Sequence, residues 1–149
     1  MTAGFIALCA ALACALAGGL VWRQRNGRMR PAKSANSATP ARPGDVVTSA
    51  DLGQALGERA TLVQFSSAFC APCRATRRIL ADVAGMVDGV AHVEVDAESS
   101  LDLVRRLGIV RTPTVLVTDA SGRVVKRASG QPRTADVIAA LGAVGAGEH

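Results

Sequence analysis

A short apolar run, Thr61 to Ser66 (TLVQFS), leads through Ser67, Ala68 and Phe69 into Cys70-Ala71-Pro72-Cys73 and then into a segment with helical periodicity. This junction restricts the fold more than any other stretch. The run is short, apolar and partly β-branched, which suits a buried strand. Beyond it, Ile79, Leu80, Val83 and Met86 share one helical stripe, while Arg74, Arg77, Arg78 and Asp82 lie largely off it. A helix is therefore expected from Cys70 to about Met86, beginning on the cysteine pair. Pro72 fits its first turn, where a missing N–H breaks no intrahelical bond.

The flanking segments extend the pattern. Thr48 with Asp51 three residues later resembles a capping box, opening a short helix to about Leu56. Val90 to Val95 reads as a second strand, and Ser99 to Leu107 as a helix closed by Gly108. Thr114 to Thr118 and Arg123 to Ala128 form a hairpin across Asp119-Ala120-Ser121-Gly122. A last helix runs from about Thr134 to Leu141, with Pro132 just before it. No internal repeat is present. The order α β α β α β β α indicates an α/β fold with a central mixed sheet flanked by helices.

The N-terminal part has a different character. Ala3 to Trp22 is 20 residues without a charge, enough at 1.5 Å per residue to span roughly 30 Å of hydrocarbon. Only Met1 and Thr2 precede it, so the basic start of a cleaved signal peptide is missing and a transmembrane anchor over residues 1–22 is expected. Cys9 and Cys14 lie inside the run and read as small hydrophobes. Arg23, Arg25, Arg28, Arg30 and Lys33 follow directly, and the positive-inside rule places them, with the rest of the chain, in the cytoplasm. Residues 23–44 are rich in Arg, Pro, Ser and Asn and read as a basic, flexible linker reaching on the order of 25 Å. The remaining domain spans residues 45–149. The expected location is thus the cell membrane, single-pass, with a cytoplasmic domain; an extracytoplasmic domain is the alternative.

Charge excludes one class of function. The net charge is +5, but six of the 17 basic residues lie in residues 1–44, which hold no acid. The body keeps eleven basic against twelve acidic residues and is close to neutral. With 3% aromatics and no Tyr, stacking platforms for a nucleic acid are lacking, and no nucleic-acid partner is expected.

The cysteine pair carries the chemistry. At a helix N-terminus, unpaired N–H groups and the helix dipole favour an anion, so Cys70 is expected as a low-pKa thiolate and a nucleophile. Cys73, one turn on, can attack the resulting mixed disulfide. Three other readings compete. Structural zinc wants four ligands, and outside the apolar run only Cys70, Cys73, His92 and His149 are available; His92 sits mid-strand and His149 is the last residue. A c-type haem site requires His where Arg74 stands. An inert buried disulfide is the third. Redox chemistry without a metal or cofactor is the favoured reading.

The strand, Phe69-Cys70-Ala71-Pro72-Cys73, the helix, Arg111-Thr112-Pro113-Thr114 before the hairpin and Gly130 after it together resemble the thioredoxin family over about residues 47–142. The resemblance implies a thioredoxin-like fold and thiol-disulfide exchange of the protein-disulfide reductase type. Cys70 would attack and Cys73 resolve, the two forming the redox-active disulfide. Phe69, Ala71, Pro72 and Pro113 would support them, Pro113 as a cis-proline opposite the disulfide, with Thr112 and Gly130 on the substrate side. Implied partners are disulfide-containing proteins and an upstream dithiol reductase or electron carrier. Two rival functions are an extracytoplasmic disulfide-exchange or cytochrome-maturation role and a non-catalytic binding or redox-sensing module.

Three positions depart from the family pattern. Phe69 replaces its Trp and Ala71 its Gly, both keeping an apolar rim. Gln64 replaces a buried Asp associated with moving the resolving cysteine's proton. Gln cannot take up a proton, so that step is expected to be slower, water-mediated, or assisted by Glu94 or His92. His92 itself reads as a strand residue with a satisfied ring, and Arg74, Arg77 and Arg78 as a solvated helix face.

Overall fold

A computed structural model describes residues 2–25, 28–31 and 46–145. Its elements are α1 (Thr2–Arg25), β1 (Arg30–Pro31), α2 (Ser49–Leu52), β2 (Ala60–Ser66), α3 (Ala71–Met86), β3 (Val90–Asp96), α4 (Leu101–Arg106), β4 (Thr114–Asp119), β5 (Val124–Ser129) and α5 (Thr134–Gly145). From α2 onward the order is the one read from the sequence.

The strands form one mixed sheet in the order β1-β5-β4-β2-β3. β2 lies between β3, parallel with Ala60 opposite Val90 through Ser66 opposite Asp96, and β4, antiparallel with Phe65 opposite Thr114. Every residue of β2 is buried, which explains its nearly continuous apolar sequence: a strand covered on both faces needs no polar alternation. On one face Leu62, Val115 and Val117 pack against Leu80 and Val83 of α3 and Val137, Ala140, Leu141 and Val144 of α5. On the other, Val63, Phe65, Val93 and Leu116 meet Leu103 of α4 and Leu107 just after it, together with Val47 and Leu52. Arg106 ties these last elements together, donating to the Val46 carbonyl at 2.9 Å and pairing with Asp51.

Several boundaries differ from the sequence reading for identifiable reasons. The capping box of Thr48 and Asp51 forms, but α2 ends at Leu52 rather than Leu56 because Gly53 takes a left-handed conformation at φ 66°. α5 continues past Leu141, since Val144 still finds buried contact. On α3 the buried stripe is Cys73, Thr76, Leu80 and Val83, with Ile79 half-buried and Met86 exposed at the helix end. Cys70 is the N-cap of α3 rather than its first helical residue.

The membrane anchor expected over residues 1–22 finds no match among the described residues. Residues 2–25 are helical, yet among the described residues no helix is long and apolar enough to cross a membrane. Within α1 Leu12, Leu16, Leu20 and Val21 are exposed, as are Cys9 and Cys14. Of the expected linker, residues 26–27 and 32–44 lie outside the described residues, as does His149. Arg30 and Pro31 do not read as simple tether: they pair antiparallel with Arg127 and Lys126 of β5, and the neighbouring Met29 packs on the core.

Candidate active site

The loop between β2 and α3 brings the cysteine pair to the carboxyl end of the central strand. Cys70 caps the helix, its Sγ accepting from the Cys73 backbone N–H at 3.2 Å. Cys70 N–H donates to the Ser67 carbonyl at 3.3 Å, which closes the turn before the helix. Cys70 and Cys73 are joined in a disulfide with their Cα atoms 5.2 Å apart. The two sulfur-bearing residues are not equivalent: Cys70 is half-buried, whereas Cys73 is 2% exposed. An incoming disulfide can reach only the first without disturbing the core.

Around the pair, Phe69 is 99% exposed, and Ala71 and Pro72 are exposed beside it. Together they form an apolar rim that contributes to no core. The second wall comes from the segment before β4. Phe65 stands opposite Thr114 in the sheet, so Thr112 and Pro113 continue past the end of β2 toward the cysteine loop. The Thr112 and Ser67 hydroxyls lie 2.9 Å apart and join the two loops. The Thr112–Pro113 peptide is cis, Pro113 is buried, and its carbonyl accepts from Gly130 N–H at 2.7 Å. Residues from three separated stretches, around 70, 112 and 130, thus meet at one end of the sheet.

Beneath Cys73 lies Gln64, fully buried. Its Nε2 donates to the Cys73 carbonyl at 2.9 Å and to Ser66 Oγ at 2.8 Å, and lies 3.5 Å from Glu94 Oε1. A carbonyl and a carboxylate can only accept, so these contacts fix which end of the amide faces them. Glu94 is held from its other side by Arg77, with Nε–Oε2 at 2.6 Å and Nη2–Oε1 at 2.7 Å. That bidentate pair is the main reason its carboxyl titrates below the ordinary glutamate range. Glu94 is therefore ionised at neutral pH and is a poor base.

His92 departs from expectation. Its ring is not satisfied: Nε2 is buried with no partner among the described residues. Burial holds its pKa below the ordinary value of 6.5. Of the helix arginines, Arg77 is engaged by Glu94, while Arg74 and Arg78 are exposed. The Arg77–Glu94 contact and the hydroxyl link from Ser67 escaped the sequence reading. Only Gln64, an amide in the middle of β2, hinted at a buried network.

The two depressed values make stability depend on pH in a definite direction. A group whose folded pKa lies below its unfolded one contributes stability above the unfolded value and loses it as pH falls through the folded one. Stability should therefore drop first below about pH 6.5, as His92 resists protonation, and again below about 4.5, as the Glu94 pair is lost. Urea unfolding across this range checks it: His92→Leu should remove the first drop and Glu94→Gln should lessen the second, to which Asp51 also contributes because its burial is outweighed by the Thr48 N–H and Arg106, which together hold it below the ordinary aspartate range. Unchanged profiles in both variants would refute the assignment.

Among the described residues no cluster of His, Cys, Asp and Glu suited to a metal ion occurs. A family model described as Thioredoxin matches residues 46–143. No curated protein matches the chain. Among solved structures, chloroplastic thioredoxin z is 28% identical, with a TM-score of 0.52 and coverage of 60% of this chain and 80% of that one. A mutant thioredoxin from Halobacterium salinarum is 17% identical, with a TM-score of 0.54 over 58% and 75% of the two chains. X-ray coordinates of Fasciola hepatica thioredoxin align with a TM-score of 0.51 at 21% identity, over 58% and 82%. These last two likenesses speak for the fold alone. The family match, by contrast, covers well over half of the chain and runs through the cysteine turn, the Thr112–Pro113 junction and the hairpin, so this chain belongs to the thioredoxin family.

Proposed function

We propose that the protein is a protein-disulfide reductase in which Cys70 is the nucleophile and Cys73 the resolving thiol. The observation that carries this is the asymmetry of the pair: a reachable cysteine at a helix N-cap, joined to a buried one a single turn below it. In the reduced protein the Cys70 thiolate attacks a substrate disulfide, forming a Cys70–substrate disulfide and expelling one substrate thiolate. Cys73 then loses its proton and attacks Cys70 Sγ. The Cys70–Cys73 disulfide forms, the second substrate thiolate leaves and takes up a proton, and two electrons have passed to the substrate. An upstream dithiol reductase or electron carrier restores the dithiol. Phe69, Ala71 and Pro72 supply an apolar rim, and the Thr112 backbone, beside cis-Pro113 and Gly130, offers an extended substrate an edge to pair with.

The site is proposed to work at the cell membrane. The uncharged run from Ala3 to Trp22 supports this, as do the outward-facing Leu12, Leu16 and Leu20 of α1. The basic cluster after the run favours a cytoplasmic domain, where thiols are kept reduced and reduction is the productive direction. Reporter fusions after residue 44 check this: a cytoplasm-active reporter should be on and an exported one off, together with resistance to carbonate extraction. Export of the reporter would assign the domain to disulfide exchange outside the cytoplasm.

A further inference from the structure

One polar atom in the site has no role in the oxidised protein. Gln64 Oε1 is buried and has no hydrogen-bond partner among the described residues, whereas Nε2 of the same amide is bonded to the Cys73 carbonyl and Ser66 Oγ. A buried acceptor left unmade costs about 1–3 kcal/mol, so a donor that arrives in another state of the protein would account for it. Opening the disulfide creates two S–H groups. Cys70 Sγ already receives the Cys73 N–H at the helix start, an arrangement that favours its thiolate. Cys73 is the buried one, and Gln64 already grips its backbone.

We infer that Gln64 is a positioning residue that retains the resolving cysteine as a thiol: its Nε2 holds the Cys73 carbonyl, and its Oε1 accepts a hydrogen bond from the Cys73 S–H once the disulfide is open. The inference rests on the reductase reading above and sharpens its second step.

The charged and titratable groups around Cys73 leave no substitute base. β2 contributes only the neutral Gln64. From β3 come Glu94, whose two oxygens are occupied by Arg77, Asp96, whose Oδ1 accepts from the Glu98 N–H at the strand's end, and His92, two residues before Glu94, which stands opposite Leu62 and so lies away from the strand end that carries the cysteines. α3 itself contributes Arg74, Arg77 and Cys70. An amide cannot accept the thiol proton, so in the mixed disulfide that proton must leave to hydroxide or a buffer base from solvent. The Cys70–substrate disulfide is consequently long-lived, and its resolution follows Cys73's own ionisation.

Two measurements on the full-length chain in mild detergent test this. The first is the infrared S–H stretch of Cys73 in the reduced protein, isolated by subtracting the spectrum of Cys73→Ser so that Cys9 and Cys14 cancel. It should lie at the low frequency of a hydrogen-bonded thiol and move up in Gln64→Met, which keeps the bulk and removes the amide. The same band in both proteins would overturn the inference. The second is the rate at which a preformed Cys70 mixed disulfide resolves. In the wild type it should rise about tenfold per pH unit until Cys73 itself ionises. Gln64→Asp introduces a carboxyl whose pKa is raised by burial and by the adjacent Glu94, giving a base near neutrality. It should resolve at least about tenfold faster at pH 7 and level off at a lower pH, and an unchanged rate and profile would sink the claim. Failure of Cys70 to form any mixed disulfide would instead refute the reductase reading, while the S–H comparison would still decide the role of Gln64.

Discussion

Cys70→Ser should reduce insulin disulfides about a thousandfold more slowly than the wild type or worse, because it removes the only reachable sulfur of the pair. Cys73→Ser should also fail to turn over, but with a different chemical outcome. Its Cys70 still attacks and nothing displaces the product, so Cys70–substrate disulfides should accumulate and appear by mass spectrometry. Neither change should unfold the protein, since Cys70 sits at the edge of the fold and Ser is close in size to Cys at both positions. The measurement pairs turbidity during insulin reduction with a urea midpoint for each variant. A wild-type protein no faster than a correctly folded Cys70→Ser would end the oxidoreductase reading and leave a binding module. Trapped adducts on Cys73 rather than on Cys70 would reverse the two roles.

Gly122→Ala should destabilise the domain by ~3 kcal/mol or more. Gly122 ends the β4–β5 turn at φ 80°, and a Cβ there would lie 1.9 Å from the Val47 carbonyl oxygen. The backbone cannot yield easily. Gly122 donates to the Asp119 carbonyl at 3.0 Å and accepts from Val47 N–H at 2.8 Å, and Asp119 Oδ1 accepts from the backbone N–H groups of Ser121 and Arg123. Relief would therefore come by expelling Val47, which is fully buried. Gly53→Ala is the matching control: it also has positive φ, at 66°, but a Cβ meets nothing within 4 Å. It should cost about 1 kcal/mol from backbone conformation alone. Equal losses in urea unfolding at the two positions would show that the clash with Val47 is relieved without cost.

Much of the domain could be read residue by residue because its signals are local. The capping box at Thr48 and Asp51, the apolar run of β2, the helix after the cysteines and the Asp-Ala-Ser-Gly turn each involve neighbours in the chain, and each forms where expected. Misreadings fell where a distant partner decides. Met86 belongs to the helical stripe by spacing, but the core ends at Val83. Residues 30–31 carry no strand pattern, yet the open edge of β5 gives them a partner. His92 gives no hint in the sequence that its ring nitrogen would be buried and unmatched. For the candidate site the division is similar. The cysteines, Pro72 and Phe69 are contiguous and declare a helix-start thiol chemistry together. Their second wall, Thr112, Pro113 and Gly130, was legible only by resemblance, because nothing in local propensity brings residue 112 to residue 67.

Gln64 marks the boundary most clearly. The order of the residues alone was enough to place a neutral amide inside the central strand, near two cysteines, where it could not accept a proton. Its consequences came from tertiary contact: which end of the amide faces Cys73, that Glu94 is spent on Arg77, and that Oε1 is left without a donor. Hydrophobic periodicity and capping act over a few residues and are written along the chain. Hydrogen-bond satisfaction in a buried site depends on atoms brought from strands 30 residues apart, and only the packed sheet and helix determine which of them meet.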